Sequence, residues 1–195
     1  MKVVGSGWGA GQNSGEGDAR EAADVLSLCS LTAGSKLFGI DTRAIREVLG
    51  KGSLNRVPLA PAYVGGVIAY RGEVVTAVSL RALLGLEAAA GKSCVLVLDG
   101  DADEERFGLM VDGVGGVVMV DRRLAAANPS TLDEASKALF CGAYRTDEGL
   151  LVQLNPERLR PSRLAETGLF GQPARIRGAA IDRPLSERMS NDQGE

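Results

Sequence analysis

The stretch from Tyr63 to Leu86, YVGGVIAYRGEVVTAVSLRALLGL, decides how the chain folds. Val64–Tyr70 and Glu73–Ser79 are apolar, β-branched runs, and only Arg71-Gly72 separates them. A two-residue loop ending in glycine makes a tight hairpin, because a primed turn needs positive φ and glycine supplies it without steric cost. After the second run, Leu80-Arg81-Ala82-Leu83-Leu84 is short and helix-prone, and Gly85 stops it where a C′ glycine would. The hairpin tip carries a long, always-charged guanidinium. Two readings of Arg71 stay open at this point: a docking residue, or a solubilising turn residue.

Working outward, Pro58 and Pro61 bracket an extended Leu59-Ala60, since proline biases its predecessor away from helix. Further upstream, Val25–Leu31 and Lys36–Ile40 read as strands joined by Thr32-Ala33-Gly34-Ser35. Asp41 is placed to cap a helical turn, with Ile45, Val48 and Leu49 as its apolar face. Downstream, Ser93–Leu98, Arg106–Val111, Gly116–Val120, Leu139–Arg145 and Gly149–Leu154 are strand-like. Leu132–Ala138 has helical character, and Asn155-Pro156 opens a short terminal helix. Roughly ten short strands with frequent turns and no long amphipathic helix make an all-β barrel or sandwich. No repeat period stands out, yet similar hairpins recur on both sides of a connector near residues 85–92, so two small barrels and one larger one are both open.

Residues 1–23 are rich in glycine and polar side chains, and residues 165–195 lose the strand pattern. Neither has the apolar content to offset ordering entropy, so both are expected to be largely disordered tails around an ordered region at 24–164. Gly5-Ser6-Gly7-Trp8-Gly9-Ala10 matches a dinucleotide fingerprint, but it lacks the strand before and the helix after that such a site requires. The net charge of −3 and pI near 5.2 give no basic footprint for nucleic acid. No apolar run is long enough to cross a bilayer, and no signal-peptide core follows Lys2, so a cytoplasmic location without membrane insertion is expected. Cys29, Cys94 and Cys141 are odd in number and widely spaced, and read as small buried hydrophobes of a reducing compartment.

The chain contains no histidine, which removes the commonest general base and metal ligand and every Ser-His or Cys-His nucleophile. The acidic run Asp99, Asp101, Asp103, Glu104, Glu105 lacks the ligand spacing and sixth-position glycine of a calcium loop, and reads as a solvated loop. Asp41, Glu47, Glu73 and Asp112 are the carboxylates that a small acid–base enzyme would have to bring together, although nothing in their spacing pairs them. No cofactor or metal is expected.

Several patches, in order, resemble the CheW family of chemotaxis coupling proteins. Phe38-Gly39-Ile40-Asp41 with Ile45-Arg46-Glu47-Val48 resembles its Y-G-I-x…V-x-E-V element. Pro58 through Ile68 resembles P-x-x-P-x-[FY]-[IV]-x-G-V-x, and Arg71-Gly72-Glu73-Val74-Val75 through Leu80-Arg81 resembles N-L-R-G-x-[IV]-[IV]-P-[IV]-[IV]-D-L-R. Phe107–Val114 is similar to the later G-[IL]-[IV]-V-D-x-V, and Leu150–Asn155 with Arg158-Leu159 fits the closing hairpin and helix. Tyr70, Thr76, Ala77 and Ser79 depart from the pattern, all within the central hairpin. The resemblance implies two intertwined SH3-like five-stranded β-barrels with short helices and a hydrophobic core between them. It implies a non-enzymatic adaptor that links chemoreceptor cytoplasmic tips, held in a groove between the barrels, to the regulatory domain of the histidine kinase CheA. It also implies partner contacts at Ile45, Glu47 and Val48 and at Arg71 and Gly72. A CheW-like module serving another signalling protein, and a carboxylate-based enzyme, are the alternatives.

Overall fold

The computed structural model describes residues 24–50, 54–87, 93–99, 105–126 and 137–167. The expected N-terminal tail, the glycine-rich fingerprint, most of the acidic run and residues 168–195 of the expected C-terminal tail lie outside these residues, whereas Ala165 and Glu166, placed in that tail from sequence, are helical. Ten strands run in chain order: β1 (Val25–Ala33), β2 (Lys36–Asp41), β3 (Ile45–Leu49), β4 (Val64–Tyr70), β5 (Glu73–Ser79), β6 (Cys94–Leu98), β7 (Phe107–Val111), β8 (Gly113–Asp121), β9 (Phe140–Thr146) and β10 (Gly149–Leu154). Two short helices, α1 (Leu80–Leu83) and α2 (Pro161–Glu166), follow β5 and β10, with a 3-10 turn at Pro156–Leu159 ahead of α2. Ser79 Oγ caps α1 by accepting from Ala82 N, and Asn155 caps the 3-10 turn with Pro156 just inside it.

One local expectation is corrected. Asp41 does cap a helical turn, but it is a 3-10 turn confined to Thr42–Ala44, and Ile45–Leu49 is strand. Ile45 and Val48 are β-branched and fit a pleated edge better than a helix. Across a bulge between Ile45 and Glu47, Ile45 and Val48 pair with Leu98 and Leu96 and so share one face of β3, whereas Glu47, opposite Val97, lies on the other. The possible helix at 132–138 falls mainly outside the described residues.

The strands form two five-stranded sheets, ordered β8-β1-β2-β10-β9 and β3-β6-β7-β5-β4. The first therefore combines the two ends of the chain, and the second takes its middle. The chain passes between sheets at the turn after β2 and at Asp112, whereas the connector near 85–92 joins two strands of one sheet.

The two sheets carry the same topology in circularly shifted order. Reading β8, β9, β10, β1, β2 against β3, β4, β5, β6, β7 reproduces the neighbour list, including one parallel pair in each, β2·β10 and β5·β7. The match holds residue by residue. Phe38-Gly39 of β2 and Phe107-Gly108 of β7 face Leu31-Ser30 and Leu98-Val97 respectively. Gly142 of β9 and Gly66 of β4 both have positive φ, 158° and 150°, and each precedes the residue that bridges back to the chain leaving the first strand: Ala143 to Ala126, and Val67 to Asn55. These bridges bring the far edges of each sheet together and close two SH3-like barrels. Glycine is required at Gly66, where an added Cβ would lie 2.5 Å from the Asn55 carbonyl oxygen.

The largest apolar core lies between the barrels. It gathers Leu31, Phe38 and Ile40 from one barrel with Val78, Leu96, Leu98 and Phe107 from the other, and α1 and α2 add Leu80, Leu83 and Leu164. Each barrel has a smaller core of its own, around Leu28 and Leu151 in one and Ile68 and Val75 in the other. A shared core larger than either private one makes the two barrels one folding unit.

The crossing at Asp112 is fastened by charge. Arg81 Nε donates to Asp112 Oδ1 at 2.8 Å, Gly34 N donates to Oδ2 at 2.7 Å, and Arg81 Nη1 also reaches the Glu87 carbonyl. Desolvation pushes the Asp112 carboxyl up, but the hydrogen bonds from Arg81 and Gly34 outweigh it and hold the group below the usual carboxylate range.

Candidate functional site

Arg71 and Gly72 form the β4–β5 turn with φ of 50° and 86°, the two positive values a type I′ turn demands. Gly72 takes this conformation freely. Arg71 has a Cβ and is held in a region costly for most L-residues. The side chain projects from that fixed point and is 66% exposed.

The tip leans on β3. Arg71 Nη2 donates to Glu47 Oε2 at 3.1 Å, and the Tyr70 hydroxyl donates to the same oxygen at 2.9 Å. Since β3 and β4 are the two ends of their sheet, these contacts tie the barrel's edges together with side chains. The Arg71 guanidinium carbon lies 5.2 Å from the Tyr70 ring centroid, and that of Arg106 lies 5.7 Å from it, both within cation–π range. Arg106 is fixed in turn by Asp99 and Glu73, each at 2.6 Å, and Arg46 meets Asp99 at 3.2 Å. Tyr70 itself is buried, and burial together with the hydrogen bond to Glu47 pushes its phenol above the ordinary value.

The anticipated partner residues divide into two groups. Glu47, Arg71 and Gly72 come together at the hairpin tip. Ile45 is half-buried and packs against the inter-barrel core, opposite Leu98, while Val48, opposite Leu96 on the same face of β3, is exposed. The β8 strand presents a counterpart that sequence reading missed. Val114 packs on the same core opposite Leu31, and Val117 is exposed, so the pairs Ile45/Val48 and Val114/Val117 occupy the same register positions in the two barrels. Met119 continues the exposed apolar row of β8 at 63%, beside Ser27. The available signal was the run Val117-Val118-Met119-Val120, apolar on both faces of a strand at a sheet edge.

Of the remaining candidates, Asp41 is occupied by capping. It accepts from Arg43 Nη2 at 2.6 Å as well as from the Arg43 amide, and the Arg43 contacts hold its carboxyl below the usual range. Asp41, Glu47, Glu73 and Asp112 each engage a different arginine. These four carboxylates thus serve as ion-pair partners of four separate arginines. Among the described residues no cluster of three ligating side chains is present. Cys29 is buried as expected and burial raises its thiol, Cys94 is half-buried, and Cys141 is exposed, contrary to expectation.

The fold and register are accompanied by a match in sequence. A family model, that of the CheW-like domain, matches residues 27–163. The chain belongs to the CheW-like domain family. It is 24% identical over 144 residues to the chemotaxis protein CheW of Treponema pallidum, covering 72% of this chain and 85% of that one. It is 27% identical over 135 residues to the chemotaxis protein CheW of Rhizobium meliloti, covering 69% and 87%. With the chemotaxis protein CheW of Thermotoga maritima it shares 29% identity over 143 residues, 73% and 90% of the two chains. Its fold is also that of the scaffolding protein TtCheW from Thermoanaerobacter tengcongensis, with a TM-score of 0.61 at 22% identity over 69% of this chain and 86% of that one.

Proposed function

We propose that this protein is a non-enzymatic adaptor of chemotaxis signal transduction, acting in the cytoplasm to couple chemoreceptors to the histidine kinase CheA. The observation that carries this reading is the CheW-like match across residues 27–163, laid on a two-barrel fold whose curated relatives are named chemotaxis protein CheW. Two surfaces suit the two partners. The Arg71 tip, with its fixed base and exposed donor fork, suits a polar contact with the CheA regulatory domain. The exposed apolar positions Val48, Val117 and Met119 suit the apolar face of a helix from the receptor's cytoplasmic tip. Among the described residues no helix is long and apolar enough to cross a membrane, and the receptor would supply the membrane link. The carboxylates are spent on arginines, which favours scaffolding over acid–base chemistry. Co-purification of the full chain with a CheA regulatory domain, and separately with a receptor cytoplasmic fragment, tests the assignment. Failure to retain either partner would refute it.

A further inference from the structure

We propose that Tyr70 is a positioning residue of the docking tip, holding Glu47 and Arg71 in the geometry that offers the outer edge of the Arg71 guanidinium to an acidic side chain of the kinase regulatory domain. This rests on the adaptor reading above. A buried phenol needs a hydrogen-bond partner, and here the partner is the carboxylate oxygen that also receives Arg71. The ring is the second constraint, because it lies under the Arg71 guanidinium at 5.2 Å. Arg106, anchored by Asp99 and Glu73, lies over the same ring and braces it. The head of Arg71 is thus set by Tyr70 and Glu47, and its base by the turn.

The partner's chemistry follows from which donors are left. Arg106 uses both Nε and Nη1 on carboxylates, whereas among the described residues Arg71 uses only Nη2. The surplus at the tip is therefore cationic donor capacity on an exposed fork, which a planar carboxylate matches. When a second carboxylate engages Arg71, the Tyr70 hydroxyl remains on Glu47, so that anion keeps a partner. A side chain held in its bound geometry beforehand loses less entropy on association.

Calorimetric titration of the full chain into the cognate CheA regulatory domain tests this with Tyr70→Phe, Arg71→Ala, the double variant and Glu47→Gln. Tyr70→Phe keeps the ring and removes only the hydroxyl; it should weaken binding about threefold to tenfold. Arg71→Ala should weaken it about tenfold or more, and the double variant should bind no more weakly than Arg71→Ala alone. The wild type's affinity should also fall more steeply with salt than that of Arg71→Ala. General destabilisation would instead subtract equally in both backgrounds. If Tyr70→Phe does not fold, Glu47→Gln, which removes the shared acceptor's charge, should show the same non-additivity with Arg71→Ala. Normal binding by Tyr70→Phe, additive losses, or equal salt slopes, with Arg71→Ala still impaired, would overturn this inference and leave the adaptor reading standing. Absence of binding by the wild type, or an unimpaired Arg71→Ala, would overturn the reading and the inference with it.

Discussion

Glu47 and Arg71 come from opposite edges of one sheet, and a single carboxylate oxygen, 3.1 Å from Arg71 Nη2, joins them. Both side chains are substantially exposed, so the pair itself contributes at most about 1 kcal/mol to folding. Arg71 moreover sits at φ 50°, where a less demanding residue would serve the turn better. A tip selected for stability alone would carry asparagine or glycine. Arg71→Asn is therefore expected to stabilise the chain by about 0.5–1 kcal/mol, seen as a rise in thermal midpoint, while weakening capture of the CheA regulatory domain about tenfold. Loss of stability with unimpaired binding would assign Arg71 a structural role.

The equivalent positions of the two barrels separate core from surface. Ile45 packs on the shared core, so Ile45→Asp should cost about 2–4 kcal/mol. Val48 and Val117 are exposed at 45% and 61%. Aspartate at either should leave stability within about 1 kcal/mol but lower affinity for a receptor cytoplasmic fragment about tenfold. Denaturant melts paired with binding isotherms distinguish the two outcomes.

Barrel closure gives an ordering that the geometry fixes. A Cβ at Gly66 would meet the Asn55 carbonyl oxygen at 2.5 Å, whereas at Gly142 the nearest atom, the Ala126 carbonyl oxygen, is 3.2 Å away. Gly66→Ala should cost about 2–3 kcal/mol and Gly142→Ala about 1 kcal/mol. Chemical denaturation measures both, and the reverse order would mean that the bridges do not close the barrels as described.

The inter-barrel fastening is pH-dependent through Asp112. Desolvation opposes ionisation there, but Arg81 and Gly34 prevail, so the folded carboxyl titrates below its unfolded counterpart. The stabilisation is fully present above the ordinary aspartate value near pH 4 and is lost as pH falls through the lower folded value. Asp112→Asn should lower the thermal midpoint at pH 7, and the gap to wild type should close as the pH drops below about 4. A gap that stays constant with pH would show that the charge at Asp112 is not what fastens the crossing.

Most strands were readable because each is a short β-branched run ended by glycine or proline, with Arg71-Gly72 the clearest case. The repeat was not readable, for two physical reasons. The barrels are related by a circular shift, so no fixed sequence period exists, and the residues alike at matched positions, such as Phe38-Gly39 with Phe107-Gly108, Gly66 with Gly142 and Val48 with Val117, are scattered and individually common. Ile45–Val48 was misread as helical because three-residue spacing fits a helical face, while the bulge between Ile45 and Glu47 that lets a strand accommodate it depends on pairing with β6. Arg71 could be placed at a tip from sequence, but its partner could not. Glu47 lies in a strand at the other edge, and only closure of the sheet brings the two within reach.

An adaptor must hold two partners at once, and that is the most direct property to measure. Sedimentation velocity of the full chain mixed with a CheA regulatory domain and a receptor cytoplasmic fragment should reveal a ternary species heavier than either binary complex. Replacing Arg71 with alanine should remove the kinase domain from that species, and Val117→Asp should remove the receptor fragment. Competition between the two partners for one site, or sedimentation of all three as free proteins, would contradict the assignment.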